Sequence, residues 1–282
     1  MTANTILLTG LPRAGTTLSC HILNNCPATL ALHEPMKPGD FEPAAGTDAA
    51  VLRIQQFAEA TRQQVLREGK ALSQQKDGAV PENPVAANAV AGGLRPMDVS
   101  LGLIDVSARV LPADFTLIIK HNALFTALLP ELAASFPMYA IVRNPLAVLA
   151  SWNLVDLPIN KGHIPAAEQF DRALKNTLAA THDVLDRQLH ILEWFCVRYV
   201  QHLNGRWLRY EDFVIDPLTL VSPLGLPAPA TSIPTRASKN AGYDLVLMEQ
   251  LYTRVSGFGE AIWSIYPRAQ VDELMETIRA SQ

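Results

Sequence analysis

Short apolar runs alternate along this chain with longer stretches in which apolar positions recur at helical spacing. The runs Ile6–Leu8, Leu117–Ile119, Met138–Val142 and Trp207–Arg209 read as strands. Residues Leu18–Asn25, Ala123–Ser135, Ala166–Asp186, Gln188–Leu203 and Gln270–Ala280 read as helices. This alternation predicts an α/β fold, a parallel β-sheet flanked by helices. In the stretch from Gln188, the residues Ile191, Trp194, Phe195 and Tyr199 form a stripe predicted to pack into the core.

Gly39 to Leu103 is the least regular region. An amphipathic helix is predicted over roughly Asp48–Gln75, followed by Asp77-Gly78-Ala79-Val80-Pro81-Glu82-Asn83-Pro84 and an Ala/Gly-rich stretch to Gly93. Long irregular segments of this kind are lids, binding loops or disorder, and this one is expected either to help shape a binding pocket or to be a surface excursion without function, with no catalytic residue assigned to it. A chain of 282 residues that is 49% hydrophobic and 18% charged is expected to fold as one domain, with this region as an insertion. The net charge of −4 offers no general attraction to nucleic acid, so an anion site has to be built locally. Cys20, Cys26 and Cys196 have no metal-ligand spacing, and their odd number argues against a disulfide framework. Neither a secretory leader nor an apolar run of membrane-spanning length is legible, and a cytoplasmic protein is expected.

The most specific feature follows the first strand. Thr9-Gly10-Leu11-Pro12-Arg13-Ala14-Gly15-Thr16-Thr17 links an apolar run to a helical pattern. Glycines let the backbone curl around an anion, the helix N-terminus presents N–H groups, and threonines add hydroxyls, so a phosphate is expected there. The nucleotide-binding loop G-x-x-x-x-G-K-[ST] carries a lysine where Thr16 stands, and here the cation is Arg13, inside the loop. Met138–Val142 reads as a buried parallel strand. Arg143 lies at its carboxyl end, where open α/β sheets bind ligands. Asn144 can cap and Pro145 can open the next helix, which carries Ser151. A guanidinium and a hydroxyl converging on one phosphate make a selective clamp.

Taken together, Pro12-Arg13-Ala14-Gly15-Thr16-Thr17, Arg143 with Ser151 eight residues later, and Arg209-Tyr210-Glu211-Asp212-Phe213 resemble the motifs of the sulfotransferases that use 3′-phosphoadenosine 5′-phosphosulfate, PAPS. The resemblance implies a P-loop nucleotide-kinase-like fold, PAPS as sulfuryl donor, adenosine 3′,5′-bisphosphate as product and no metal. It assigns the 5′-phosphosulfate to Pro12–Thr17, the 3′-phosphate to Arg143 and Ser151, and the adenine side to Tyr210. It also implies a late basic loop, for which Arg236 and Lys239 are the candidates. Leu18 stands where cytosolic relatives carry an adenine-stacking tryptophan, so another residue has to pack the base.

Two groups compete as general base. Ala31-Leu32-His33-Glu34-Pro35 resembles the glutamate-proline step of carbohydrate sulfotransferases, which favours Glu34, with His33 as an orienting neighbour. Lys120-His121-Asn122 resembles the lysine and histidine of cytosolic enzymes, which makes His121 the alternative and lets Lys120 reach the transferred sulfonate. Lys37 is a further cation near Glu34. The implied acceptor is a hydroxyl of a carbohydrate, a glycolipid or another small-molecule alcohol. A small-molecule kinase with a P-loop, or a nucleotide-binding relative without catalysis, are the alternatives.

Overall fold

The computed structural model describes residues 4–89, 93–229 and 243–281. Its centre is a parallel sheet of β1 (Thr5–Gly10), β2 (Thr29–His33), β5 (Thr116–Lys120), β6 (Met138–Val142) and β7 (Trp207–Arg209), in the order β2-β5-β1-β6-β7. β1 is buried along its whole length between β5 and β6. The chain fills one side of β1 before crossing to the other, and this reversal opens a crevice at the carboxyl ends of the strands. The register then sets neighbours there. His33 lies opposite Lys120, Leu8 lies opposite both Lys120 and Tyr139, and the loop after Gly10 falls between the two halves.

The four runs read as strands are strands, whereas Thr29–His33 is an additional one. Its apolar content is only Leu30, Ala31 and Leu32, too short a run to announce burial, yet all five residues are buried because β5 and helices cover it. α1 (Thr16–Leu23) follows the loop that ends at Gly15. The insertion is more regular than its composition suggests. The helix predicted to Gln75 is α2 (Thr47–Glu68), which ends where Gly69 adopts φ 64 and returns its N–H to the Val65 carbonyl. Residues beyond it form β3 (Lys70–Gln75), which pairs antiparallel with β4 (Ser100–Asp105). Ser73 Oγ accepts the His33 N–H at 3.0 Å and so ties this ribbon to the edge of the sheet.

The helix predicted over Ala123–Ser135 is divided into α3 (Ala123–Ala127) and α4 (Leu129–Ser135). Pro130 has no N–H for the Thr126 carbonyl, and Arg198 donates to the carbonyls of Thr126 and Ala127 instead. α5 (Pro145–Trp152) starts as its sequence suggests, with Asn144 Oδ1 accepting the N–H groups of Leu146 and Ala147. The stretch predicted as two helices from Ala166 is three, α6 (Pro165–Glu168), α7 (Arg172–Ala180) and α8 (Val184–His202), because the carboxylates of Asp171 and Asp183 each cap a new N-terminus. Phe195 and Tyr199 on α8 are fully buried, and Trp194 packs against the core while donating to Asp171. α9 (Tyr210–Ile215), α10 (Leu218–Val221), α11 (Leu245–Ser256), α12 (Glu260–Ile265) and α13 (Arg268–Ala280) complete the cover. The three cysteines are free and buried, and among the described residues no helix is long and apolar enough to cross a membrane.

Buried Arg62 fastens α2 to the sheet, donating to the carbonyls of Phe115 at 2.7 Å and Asn4 at 3.2 Å. Arg62→Met is expected to lower the urea-unfolding free energy by about 1–3 kcal/mol, since it strips a charged donor from buried carbonyls. Arg67→Met, an exposed change on the same helix, is expected to stay within about 0.5 kcal/mol.

Candidate functional site

A cleft of about 600 Å³ lies at the carboxyl edge of the sheet, within the size range of small-molecule sites. Pro12, Arg13, Gly15, Thr16, Thr17, His33, Glu34, Lys120, His121, Arg143, Ser151 and Tyr210 all line it. Pieces predicted from separate stretches of sequence are thus brought to one place by the strand order. Ala14 is fully buried beneath the loop. Arg236 and Lys239 lie outside the described residues. Lys37 is exposed and does not line the cleft.

The loop is held rigidly. Trp152 Nε1 donates to the Pro12 carbonyl at 2.7 Å, Arg143 donates to the Arg13 carbonyl at 3.2 Å, and Leu11 N–H reaches the Ile141 carbonyl. Arg13 itself takes φ 67, uncommon for a residue with a side chain, and this turn leads into the N-terminus of α1. Gly15 has φ 84 and its missing side chain makes room for Tyr210, since a Cβ would sit 2.4 Å from that ring. Thr16 and Thr17 are the first helical residues after it, in the turn whose N–H groups have no intrahelical carbonyl.

One end of the cleft is cationic. Arg13 donates to Ser151 Oγ at 3.4 Å and to Asn83 Oδ1 at 3.2 Å. Arg143 lies 4.7 Å above the Tyr210 ring and is 8% exposed. Arg95 lines the same region, and no Asp or Glu forms an ion pair with Arg13, Arg95 or Arg143 among the described residues. Burial, with Arg95 and Arg143 nearby, lowers Arg13 to about 10. Such a cluster can hold an anion. Of the Arg209–Phe213 segment only Tyr210 faces the cleft. Arg209 turns away to Gln270 and the Tyr266 ring, and Glu211 accepts the Asn144 N–H.

The other end is a compact polar cluster. Lys120 Nζ donates to Glu34 Oε1 at 2.8 Å, with the lysine side chain 1% exposed and the glutamate 33% exposed toward the cleft. Burial alone would raise the Glu34 carboxyl, but Lys120, His33 and His121 outweigh it and hold the group well below the usual carboxylate range. Glu34 has φ 43, which swings the side chain out of the β2 direction as the strand ends. His121 Nε2 accepts the Met36 N–H at 3.1 Å, so its basic lone pair is engaged and its proton sits on Nδ1. His33 Nε2 lies 3.5 Å from Thr17 Oγ1, and His33 Nδ1 is buried without a partner among the described residues.

Arg95 and Asn83 were not legible as site residues. Both lie in the strap between β3 and β4, where no periodicity marks a position. Backbone bonds from Arg95 to Leu154 and from Asp156 to Arg95 stitch the strap across the cleft. Among the described residues no group of three or more His, Cys, Asp or Glu is placed to hold a metal ion. Comparison with family models, curated proteins and solved structures yields no match.

Burial lowers His33 to about 3 and His121 to about 4, with Lys120 reinforcing and Glu34 opposing the shift in both rings. The unfolded chain, with rings near their ordinary 6.5, therefore binds protons that the folded protein refuses. Unfolding free energy is expected to fall as pH drops from about 6.5 to about 4.5, by up to about 1.4 kcal/mol per pH unit for each ring. Urea titrations over that window check this. His33→Asn with His121→Gln is expected to flatten the slope, and an unchanged slope would contradict neutral buried rings.

Proposed function

We propose that this chain is a sulfotransferase that uses PAPS as donor and an alcohol as acceptor, on a P-loop nucleotide-kinase-like fold. The observation that carries the reading is one cleft with two ends, an arginine-rich anion cradle beside the Gly15 turn and an ionised carboxylate paired with a buried lysine. The placement of the turn at the carboxyl end of central β1, with β5 and β6 on either side, supports the fold assignment. Bound PAPS supplies a sulfuryl group on a good leaving phosphate, so the reaction asks the protein chiefly for alignment and charge stabilisation.

In this reading the N–H groups at the start of α1, with Thr16, Thr17 and Arg13, hold the 5′-phosphate, and Arg143 with Ser151 holds the 3′-phosphate. Arg95 adds positive charge from the strap. Glu34 accepts the proton of the acceptor hydroxyl while that oxygen bonds to sulfur and the bond from sulfur to the phosphate oxygen breaks. Its electron pair leaves with adenosine 3′,5′-bisphosphate. Lys120 stabilises the equatorial sulfonate oxygens as charge shifts. When its ammonium turns from Glu34 to that sulfonate, the carboxylate loses its strongest cationic neighbour and becomes a better base. His121, whose Nε2 already accepts the Met36 N–H, orients the floor of the cleft.

The test is formation of adenosine 3′,5′-bisphosphate from PAPS in the presence of pooled alcohols. Glu34→Gln is expected to lower turnover about 10²–10⁴-fold while donor binding stays near the wild-type value. Full turnover in Glu34→Gln, with activity abolished in His121→Gln, would overturn the assignment of the base. No bisphosphate formation with any alcohol would count against the reading as a whole.

A further inference from the structure

Much of the cleft wall is hydrocarbon, with the side chains of Glu82, Asn83, Arg95 and His163 also lining it. Leu124, on the helix that starts three residues after Lys120, is 1% exposed, and Ile159 and Ile164 are 4% and 6% exposed, yet all three line the cleft. Pro38, Met97 and Leu157 line it as well. These residues come from different parts of the fold and are held in place. α6, which follows Ile164, packs against α3, and Gln169 on the far end of that turn donates to the Pro38 carbonyl at 3.2 Å. The strap pairs Met97 with Val85, and the Asn160 N–H closes a turn onto the Leu157 carbonyl.

Among the polar side chains near this wall, His163 is engaged by its neighbours. His163 has Nε2 at 3.1 Å from Arg187 and Nδ1 at 3.4 Å from Glu168. At the floor, Asn122 Oδ1 is buried with no partner among the described residues, close in sequence to Lys120 and His121. Glu34 offers an acceptor for a hydroxyl at one end of the chamber. A sugar brings a hydroxyl on nearly every ring carbon, and each would lose water against leucine, isoleucine and proline without a replacement partner. A molecule with one hydroxyl and a hydrocarbon body meets no such penalty and gains from every methylene it buries.

We propose that the acceptor is an aliphatic alcohol, a single hydroxyl on a straight-chain or alicyclic hydrocarbon body, taken in preference to a sugar. This inference rests on the sulfotransferase reading and narrows its acceptor. The test is calorimetric binding of 1-butanol, 1-hexanol, 1-octanol, cyclohexylmethanol and methyl glucoside, each with and without saturating adenosine 3′,5′-bisphosphate. Affinity is expected to rise roughly fourfold per added methylene until the chamber is filled, with methyl glucoside weaker than hexanol. Leu157→Gln is expected to weaken octanol at least tenfold more than it weakens the bisphosphate, and Ile164→Ala is a second variant should the first not fold. Bisphosphate binding with an affinity series that is flat in chain length, or methyl glucoside tighter than octanol, overturns the aliphatic acceptor and leaves the nucleotide reading intact. A rising alkanol series with no bisphosphate binding overturns the proposal through its premise, because the chamber is then apolar but serves no sulfuryl donor.

Discussion

Arg13, Arg95 and Arg143 are gathered at one end of a cleft where no carboxylate pairs with them among the described residues, and much of the local architecture holds that arrangement together. Burial disfavours the charge and the neighbouring arginines add repulsion, which is why Arg13 is lowered to about 10. The rest of the fold supplies the restraint. Arg143 is braced on the Arg13 carbonyl and over Tyr210, the Trp152 indole pins Pro12, and Gly15 allows Tyr210 to close against the loop. An anion bound among these groups would relieve the repulsion.

The opposite end works by compensation. Lys120 is buried at the end of β5, with its ammonium 2.8 Å from the Glu34 carboxylate. Removing one partner from such a pair would leave an uncompensated charge, so the two act as a unit. Their meeting follows from strand register, which sets His33 beside Lys120, and from the left-handed turn at Glu34 that carries its side chain into the cleft. Residues in uncommon backbone conformations at both ends, Arg13 and Glu34, are consistent with strain held by a well-packed surround.

What could be read from the sequence was local. The turn between β1 and α1, and the passage from β6 through the Asn144 cap to Ser151, each occupy one short stretch whose residue types reveal both structure and chemistry. Less was legible where structure depends on distant partners. Thr29–His33 is a strand because β5 and the β3 ribbon receive it, and nothing in its own five residues announces that. The end of α2 was written at Gly69, but helical spacing continued past it and masked the change to β3. Arg95 and Asn83 carry no local signal; backbone bonds to Leu154 and Asp156 place Arg95 at the anion end, and Asn83 Oδ1 accepts there from Arg13. The apolar part of the cleft wall likewise combines residues far apart in sequence, so it is visible only in the fold.

The central claim is that the cationic end is built for a nucleotide carrying a 3′-phosphate. Titration calorimetry of adenosine 3′,5′-bisphosphate without metal, beside adenosine 5′-phosphate and ATP with magnesium, tests it most directly. The account predicts that removing the 3′-phosphate weakens binding about 10- to 100-fold, the loss of one or two charged hydrogen bonds, and that Arg143→Ala erases this difference. Equal affinity for the bisphosphate and the 5′-phosphate, or a preference for ATP with magnesium, would contradict it.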